Sequence, residues 1–238
     1  MHYLDLTLPS PAENLALDEA LLLQAEAGQG GEVLRVWEWP HPAVVLGSGC
    51  RLAEDVDETA CLADGVPLLR RSSGGGTVLL GAGCLLYSLV LNYERSPALT
   101  EIRASYRYIL ERVGQALGGA AAGVEQEGIS DLAIAGRKFS GNAQQRKRHH
   151  LLHHGTLLYA FDLPRVGRYL RLPPRQPEYR AGRGHTEFLR NLTMSAEELQ
   201  HCLRATWQAD VEGISWQEER VRQLVQEKYA SRDWIRRR

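Results

Sequence analysis

The segment "RRSSGGGTVLLGAGCLLYS", residues 70–88, decides the fold because it places three consecutive glycines between two strand-like segments. Glycine loses more backbone entropy on folding than any other residue, and it reaches φ values that a side chain forbids. Residues 74–76 therefore predict a turn whose backbone approaches another group closely. The two arginines that precede the turn, Arg70 and Arg71, can add bidentate contacts to a phosphate or a carboxylate.

Helix-like and strand-like patterns alternate on both sides of this turn. Ser10, Pro11 and Glu13 form a capping box with proline in the first turn, which predicts a helix after residue 10. Strands are predicted at residues 33–39, 43–47, 77–80, 84–92, 131–136 and 154–161, with a further strand ending near residue 71. Helices are predicted at residues 53–65, 101–117, 195–207 and 216–229. The pattern predicts one mixed domain over residues 1–238, with terminal helices at about 195–230.

The global composition limits the function classes. The 238 residues carry a formal net charge of −1, whereas a general nucleic-acid binder is normally strongly basic. The amino-terminal segment lacks the charged start and the uninterrupted apolar core of a signal peptide, and no apolar run approaches the length of a membrane helix. We therefore expect a cytoplasmic protein that binds neither nucleic acid nor membrane.

The four cysteines are far apart and form no CxxC pair. This spacing indicates neither a zinc site nor a disulfide framework. The sequence therefore predicts four free thiols, at Cys50, Cys61, Cys84 and Cys202.

A second unusual segment is "ISDLAIAGRKFSGNAQQRKRHHLLHHGTLLY", residues 129–159. Lys138 lies between two glycines, which makes it a candidate point charge for a phosphoryl or carboxyl group. The glycine turn itself lacks the G-x-x-x-x-G-K-[ST] spacing and leads into a strand, so P-loop or Rossmann binding is disfavoured. The histidines at 149, 150, 153 and 154 have no carboxylate or cysteine beside them, so the residues favour no metal site.

Three ordered motifs carry a family resemblance. "RRSSGGGTV", followed about sixty residues later by "SDLAIAGRKFSGNAQ" and then by "HHGTLLY", resembles the lipoate–protein ligase A family. That family belongs to the group that includes biotin–protein ligases and octanoyltransferases. The resemblance implies an α+β fold, in which a mixed, largely antiparallel sheet packs with helices. It also implies that the glycine segment lies against an acyl-adenylate and that the lysine contacts its phosphate and carbonyl oxygens.

Carried over to this chain, the resemblance makes Lys138 the catalytic cation and puts Asp131 on the adenine or magnesium side. It assigns the substrate and adenylate pocket to a larger set of residues: Arg70, Arg71, Ser73, Gly74, Gly75, Gly76, Thr77, Asp131, Ser140, Gly141, His154, Gly155 and Thr156. The implied substrates are lipoic or octanoic acid with ATP and Mg²⁺. A fixed lysine and backbone N–H donors stabilise the charge that develops on the acyl oxygen and the leaving phosphate.

The implied acceptor is a lysine of a lipoyl domain, in a dehydrogenase E2 subunit or in the glycine cleavage H protein. The chain departs from the ligases at Leu80 and Gly81, where they commonly have His-Asp, and at Cys84, where they commonly have asparagine. Only about two helices follow residue 195, so the separate carboxy-terminal domain of larger ligases is not expected. A partner protein is then expected to assist activation.

Two other functions remain open from the sequence. A related octanoyltransferase takes its acyl group from acyl carrier protein through a cysteine thioester, and in one branch that cysteine precedes "GRK". Residues 123–138 contain no cysteine, so Cys84 is either a pocket wall, which its apolar surroundings favour, or a relocated nucleophile. A module that binds a lipoyl group without transferring it is the other alternative. The basic segments 144–150 and 173–185 are predicted to steer an acidic acceptor.

Overall fold

Two β-sheets frame the protein in the computed structural model, which describes residues 1–119 and 122–238. The strands in these ranges are β1 His2–Asp5, β2 Val33–Glu38, β3 Ala43–Leu46, β4 Leu68–Arg70, β5 Val78–Leu80, β6 Cys84–Asn92, β7 Val124–Glu127, β8 Asp131–Ile134, β9 Arg137–Arg146, β10 His150–Leu158 and β11 Val211–Glu212. The large sheet has the order β11-β1-β2-β6-β10-β9-β8-β7, and the small sheet has the order β4-β3-β5.

Most neighbouring strands are antiparallel. The parallel pairs in the described ranges are β1 with β11, β1 with β2, and β3 with β4. The remaining pairs, including the long β6–β10–β9 ladder at the centre of the large sheet, are antiparallel. The predicted α+β fold with a mixed, largely antiparallel sheet is therefore confirmed.

Helices cover both faces of the large sheet. The α-helices in the described ranges are α1 Pro11–Glu26, α2 Leu52–Asp55, α3 Glu58–Ala63, α4 Ile102–Gly118, α5 Pro164–Tyr169, α6 His185–Phe188, α7 Ala196–Trp207, α8 Glu218–Leu224 and α9 Arg232–Ile235. One apolar core joins α4 and α7 to one face, and a second joins α1, α8 and the small sheet to the other. Strand β6 lies between the two cores, which explains its nearly continuous apolar sequence.

The predicted helix after residue 10 is confirmed, with Ser10 as its N-cap. Helix α1 begins after Ser10, whose Oγ accepts a hydrogen bond from the Glu13 N–H at 3.2 Å. The predicted helix at residues 53–65 is instead two helices, α2 and α3. The chain is extended at Val56, and Asp57 caps α3 by accepting from the Ala60 N–H at 2.9 Å. The aspartate at this position therefore starts a new helix rather than continuing the old one.

Residues 144–150, the first of the two basic segments, mostly belong to regular structure. Residues 144–146 end β9, and β10 begins at His150, so only the hairpin turn lies between the two strands. Strand β9 was not predicted from the sequence because its many polar residues mask the alternation of apolar and polar side chains that is typical of a strand. The strand lies between β8 and β10 and needs no continuous apolar face.

The glycine segment forms an arch, which we define as residues 71–77 and call the glycine arch. Strand β4 runs parallel to β3 and β5 runs antiparallel to it, so the connection between them must cross the carboxyl end of β3. Hydrogen bonds tie the arch to that end, from Arg71 N to Leu46 O at 2.9 Å and from Ser48 N to Ser73 O at 2.8 Å. A Cβ on Gly47 would lie 1.9 Å from Gly75 O, so only glycine fits beneath the arch.

All four cysteines are free, as predicted; Cys61 and Cys84 are buried and the other two are half-buried. Among the helices of the described ranges, none combines the length and the apolar character that crossing a membrane requires.

Candidate active site

A cavity of about 870 Å³ lies between the glycine arch, the β8–β9–β10 ladder and residues 171–189. One part of its wall is apolar and belongs to a single core cluster: Leu15, Trp37, Val45, Leu80, Leu86, Leu158, Phe161, Val166 and Leu170. The rest of the wall is polar and includes Lys138, Asp131 and the glycine arch. A cavity with an apolar wall and a few convergent polar groups suits a ligand that has a hydrocarbon chain and a charged head.

Side-chain donors bind the carbonyl oxygens of the glycine arch and hold them away from the cavity. Arg71 Nη2 donates to Gly74 O at 2.6 Å and to Gly76 O at 2.8 Å, and the Cys50 thiol donates to Gly75 O at 3.3 Å. In the described chain the N–H groups of Gly75 and Gly76 have no protein partner, and both residues line the cavity. Successive unpaired N–H groups on a tight turn make an anion-binding concavity.

The guanidinium of Arg71 adds a positive charge to this turn. Its side chain lines the cavity but is largely buried, and burial lowers the pKa of Arg71 to about 10. A guanidinium with that pKa is still fully protonated near pH 7. The positive charge of Arg71 therefore favours anion binding in the cavity, while its N–H groups bind the carbonyl oxygens of the arch.

Arg70 requires a correction, because the structure does not place it at the cavity. Its side chain is fully buried on the far side of the arch. Arg70 Nη1 donates to Gly47 O at 2.9 Å and to Cys50 O at 2.7 Å, and Nε donates to Ile235 O at 2.9 Å. Because these N–H donors are bound to backbone carbonyl groups, Arg70 connects β4 to the loop after β3 and to α9. It does not contact a ligand in the cavity.

Lys138 lies on β9 and faces the cavity. Its Nζ forms an ion pair with Asp131 Oδ1 at 2.8 Å, and the Tyr179 hydroxyl donates to Asp131 Oδ2 at 2.8 Å. A Cβ on Gly141 would lie 2.6 Å from Lys138 Nζ, so glycine leaves the space that the lysine side chain occupies. The ion pair with Asp131 and the space above Gly141 therefore position this cation at the cavity wall.

His154 connects the arch to a buried carboxylate. Its Nε2 lies 2.6 Å from Ser73 Oγ, and its Nδ1 lies 3.9 Å from Asp18 Oδ2. Burial alone would raise the pKa of Asp18, but the ion pair with Arg35 at 2.6 Å and further hydrogen bonds hold it below its usual value. Ser73 belongs to the arch and is buried, so this chain of contacts ties the arch to the interior.

The structure brings most of the predicted site residues together. Those that line the cavity are Arg71, Gly75, Gly76, Thr77, Asp131, Lys138, Ser140, Gly141, His154, Gly155 and Thr156. Those that do not line it are Arg70, Ser73, Gly74 and Cys84. The ligand-binding roles of the lining residues stay predictions.

Residues 171–189 cover the cavity. This role of the segment was not predicted from the sequence. Arg171, Arg175, Tyr179, Arg180 and His185 all line it, although residues 173–185 were predicted to steer an acceptor. The density of arginine, proline and glycine in this segment, without an apolar period, was the signal that could have found it. Asp55 was also missed; it lines the cavity and accepts from the Thr77 hydroxyl at 2.6 Å.

Arg146 is not the free surface charge that the basic segment suggested. Its Nη2 donates to Leu99 O at 2.5 Å, its Nη1 donates to Ser105 Oγ at 3.2 Å, and its guanidinium lies 5.0 Å from the ring centre of Tyr93. Arg148, on the hairpin turn, is exposed. Of these two arginines, only Arg148 can attract an acidic partner at long range.

The two arginines are therefore expected to respond differently to charge reversal. Arg146→Glu places a carboxylate next to Leu99 O and Ser105 Oγ, so the free energy of unfolding should fall by about 1–3 kcal/mol. Arg148→Glu should leave stability unchanged and slow association with an acidic partner, more at low salt than at high salt. Thermal melts and association rates at two salt concentrations measure both effects. Equal melting temperatures for the two variants would contradict this assignment.

The histidines near the hairpin have protein partners. Glu26 accepts hydrogen bonds from the His149 and His150 N–H groups, and His150 Nδ1 lies 3.2 Å from the same carboxylate. Burial, together with the nearby charge of His154, lowers the pKa of His153 to about 3, so this imidazole is neutral. Within residues 1–119 and 122–238, no group of three His, Cys, Asp or Glu side chains is arranged to hold a metal ion.

Cys84 is the first residue of β6 and is fully buried. Burial and the charge of Glu38 raise the pKa of its thiol well above the usual range, which disfavours the thiolate. None of the four cysteines, all of which the structure describes, lines the cavity. The cavity therefore contains a lysine and backbone donors but no thiol.

Comparisons with known proteins identify relatives of this chain. Residues 10–207 match the family model described as the lipoyl protein ligase A/B catalytic domain. An octanoyltransferase LipM from Carboxydothermus hydrogenoformans is 30% identical, over 95% of this chain and 94% of its own. A probable lipoate-protein ligase A from Mycoplasma pneumoniae is 31% identical, over 67% of this chain and 46% of its own.

The fold is also found in a solved structure. A protein from Thermoplasma acidophilum, described as a bi-partite lipoate protein ligase, superposes with a TM-score of 0.83 at 24% identity. The match covers 99% of this chain and 95% of that chain.

Proposed function

The chain belongs to the lipoyl protein ligase A/B catalytic-domain family, and from that premise we propose that it is an ATP-dependent lipoate–protein ligase. In this proposal it converts lipoate, or octanoate, to the acyl-adenylate and then transfers the acyl group to a lysine of a lipoyl-domain acceptor. The observation that carries the proposal is the composition of the cavity wall. Lys138 and the N–H groups of the glycine arch converge there, whereas no cysteine does.

In the first step a carboxylate oxygen attacks the α-phosphorus of ATP, and pyrophosphate leaves. In the second step the acceptor amine attacks the acyl carbon, loses a proton and releases AMP. Both steps build negative charge on phosphate or acyl oxygens. Lys138 and the arch N–H groups are positioned to stabilise this charge, and the apolar wall binds the acyl chain. Neither step requires a nucleophilic side chain.

The chain's own residues fit a nucleotide phosphate better than a metal ion. Asp131, the carboxylate that the family resemblance puts near magnesium, already pairs with Lys138 and accepts from Tyr179. Arg171, Arg175 and Arg180 lie on the cavity wall and supply positive charge to it. The proposed reaction therefore uses no metal ion bound by these side chains.

The proposed acceptor is the lipoyl domain of a dehydrogenase E2 subunit or the glycine cleavage H protein. A separate accessory subunit that assists the first step is part of the same proposal. Ile129, which lines the cavity, and Leu172, which belongs to the covering segment, are exposed apolar side chains, and in this proposal the acceptor domain contacts them. Adenylate formation measured without any acceptor separates a defect in activation from a defect in transfer.

An octanoyltransferase is the second candidate, because several relatives are octanoyltransferases of the LipM type. That reaction needs a thiol that reaches the acyl donor. Cys50 is the thiol nearest to the glycine arch, but its hydrogen is directed to Gly75 O and burial raises its pKa. The structure therefore favours the ligase.

The test is a direct comparison of acyl donors. The protein is incubated with a lipoyl domain and either lipoate plus ATP or octanoyl acyl carrier protein, while AMP release and the acceptor mass are measured. AMP release with acylation in the first mixture supports the ligase. Acylation only in the second identifies an octanoyltransferase. Lipoate binding without AMP or acylation, in the presence of an accessory subunit, identifies a non-catalytic binding module.

Cys84→Ala is expected to keep its activity, because the thiol lies outside the cavity and is protonated. The smaller side chain leaves a small space in the core, so the free energy of unfolding should fall by about 1 kcal/mol. Steady-state rates, a thermal melt and intact-protein mass after incubation with an octanoyl donor measure these effects. An acyl adduct on the native protein that is lost in the variant would overturn the ligase proposal.

A further inference from the structure

The segment after residue 207, beyond the match to the family model, returns to the back of the glycine arch. The indole of Trp234 donates from Nε1 to Arg70 O at 2.8 Å, and Arg70 Nε donates in return to Ile235 O at 2.9 Å. Arg237 Nη2 donates to Ser48 O at 2.7 Å, in the loop directly beneath the arch. Helix α9 and its flanks therefore support the side of the arch that faces away from the cavity.

A buried carboxylate makes a second connection. Glu19 on α1 is only 5% exposed and accepts from Lys228 Nζ at 2.7 and 2.8 Å and from the Tyr229 hydroxyl at 2.6 Å. The Gln145 amide also donates to Glu19, at 3.0 Å, while its oxygen accepts from Ser72 Oγ at 2.5 Å. Ser72 Oγ also lies 3.2 Å from Tyr229 Oη, so the first serine of the arch contacts both Gln145 and Tyr229.

The carboxylate of Glu19 is fully hydrogen-bonded only when all of its donors are present. Burial alone would raise the pKa of Glu19, but the donors from Lys228, Tyr229 and Gln145 lower it below its usual value. A buried carboxylate that loses a donor is costly and reorganises its remaining neighbours. Here those neighbours include Gln145, which holds Ser72, so a change at Tyr229 reaches the arch through hydrogen bonds.

We propose that Tyr229 and Trp234 are positioning residues that hold the glycine arch in the geometry its ligand requires. They do so without touching the cavity, which neither residue lines. The proposal rests on the proposed function for its kinetic consequence, because the arch presents N–H groups to the phosphate of the intermediate. Displacing such donors by a fraction of an ångström is expected to lower the rate of adenylate formation by about 10- to 100-fold.

The test compares two hydroxyl deletions of the same kind. Tyr229→Phe removes the donor to Glu19, and Tyr159→Phe removes a donor to Glu38 at 2.8 Å, away from the arch. We expect Tyr229→Phe to lower kcat/KM for AMP formation by about 10- to 100-fold, and Tyr159→Phe to change it less than twofold. Trp234→Phe, which keeps an aromatic ring and removes one hydrogen bond, provides a second variant if Tyr229→Phe folds poorly.

Hydrogen exchange supplies a measurement that does not depend on activity. The amides of Ser48 and Arg71 bond across the base of the arch and report its opening. We expect their exchange, corrected for any loss of global stability, to become about tenfold faster in Tyr229→Phe and to be unaffected in Tyr159→Phe. Matching exchange in the two tyrosine variants would overturn the inference. If the native protein releases no AMP, the proposed function fails, and the exchange data still decide the role of Tyr229.

Discussion

Lys138→Ala is expected to lower kcat/KM for acyl-adenylate formation by about 30- to 5,000-fold. The substitution leaves the developing phosphate charge without its matched cation, and losing one partner of a desolvated charge pair costs about 2–5 kcal/mol. Folding should change little, because the pair with Asp131 is partly exposed and such pairs contribute about 0–1 kcal/mol. AMP release and a thermal melt, measured on the same preparation, test both statements.

Lys147→Ala is the matched control for this prediction. Lys147 lies on the β9–β10 hairpin turn and does not line the cavity, so its removal changes the total charge equally without affecting the site. Lys138→Arg adds a geometric test, because a planar guanidinium cannot occupy the space above Gly141 in the same way. A Lys138→Ala protein that keeps more than half of the native rate would remove this residue from the mechanism.

Gly75→Val is expected to abolish measurable ligand binding. Gly75 has a φ of +83°, a region that β-branched residues essentially avoid, and a Cβ there would lie 2.9 Å from Arg71 Nη2. Either the arch reorganises or Arg71 releases the carbonyl groups that it holds. We expect the affinity for lipoate to fall by at least 100-fold and the free energy of unfolding to fall by about 1–3 kcal/mol.

Gly74→Ala distinguishes a ligand-binding arch from an ordinary turn. Gly74 has no positive φ, and a Cβ on it would meet nothing within 4 Å, so alanine fits there. Calorimetric titration with lipoate, on protein shown to be folded by its melt, should give near-native affinity for this variant and no binding for Gly75→Val. Native affinity in the folded fraction of Gly75→Val would show that Gly75 is only a structural turn.

The sequence predicted the elements that have strong local signals. The capping box at Ser10 and the turn chemistry around residues 74–76 depend on neighbouring residues, so their structures were predictable. The division of the helix at residues 53–65 depended on Asp57, whose capping role looks the same in sequence as a solvent-exposed aspartate. Strand β9 was missed because long-range pairing with β8 and β10, rather than its own pattern, holds it extended.

The same distinction between local sequence signals and long-range contacts applies to the candidate site. Lys138 and Asp131 were identified because motifs carry them, and the structure adds their 2.8 Å ion pair. Arg70 and Arg71 are adjacent and chemically identical, and only the crossing of the arch over β3 determines that one faces the cavity and the other the interior. The support from Tyr229 and Trp234 joins residues more than 150 positions apart, which no local pattern could indicate.

The crossing of the glycine arch over β3 also determines when the site can form during folding. The arch is held by two short pairings, Leu46 with Arg70 on one side and Val45 with Val78 on the other. Neither pairing alone closes it, and both must bring together residues well separated along the chain, which makes them slow relative to helix formation. The ability to bind a ligand therefore arises only with completion of the small sheet, after helices such as α1 and α4 can already have formed.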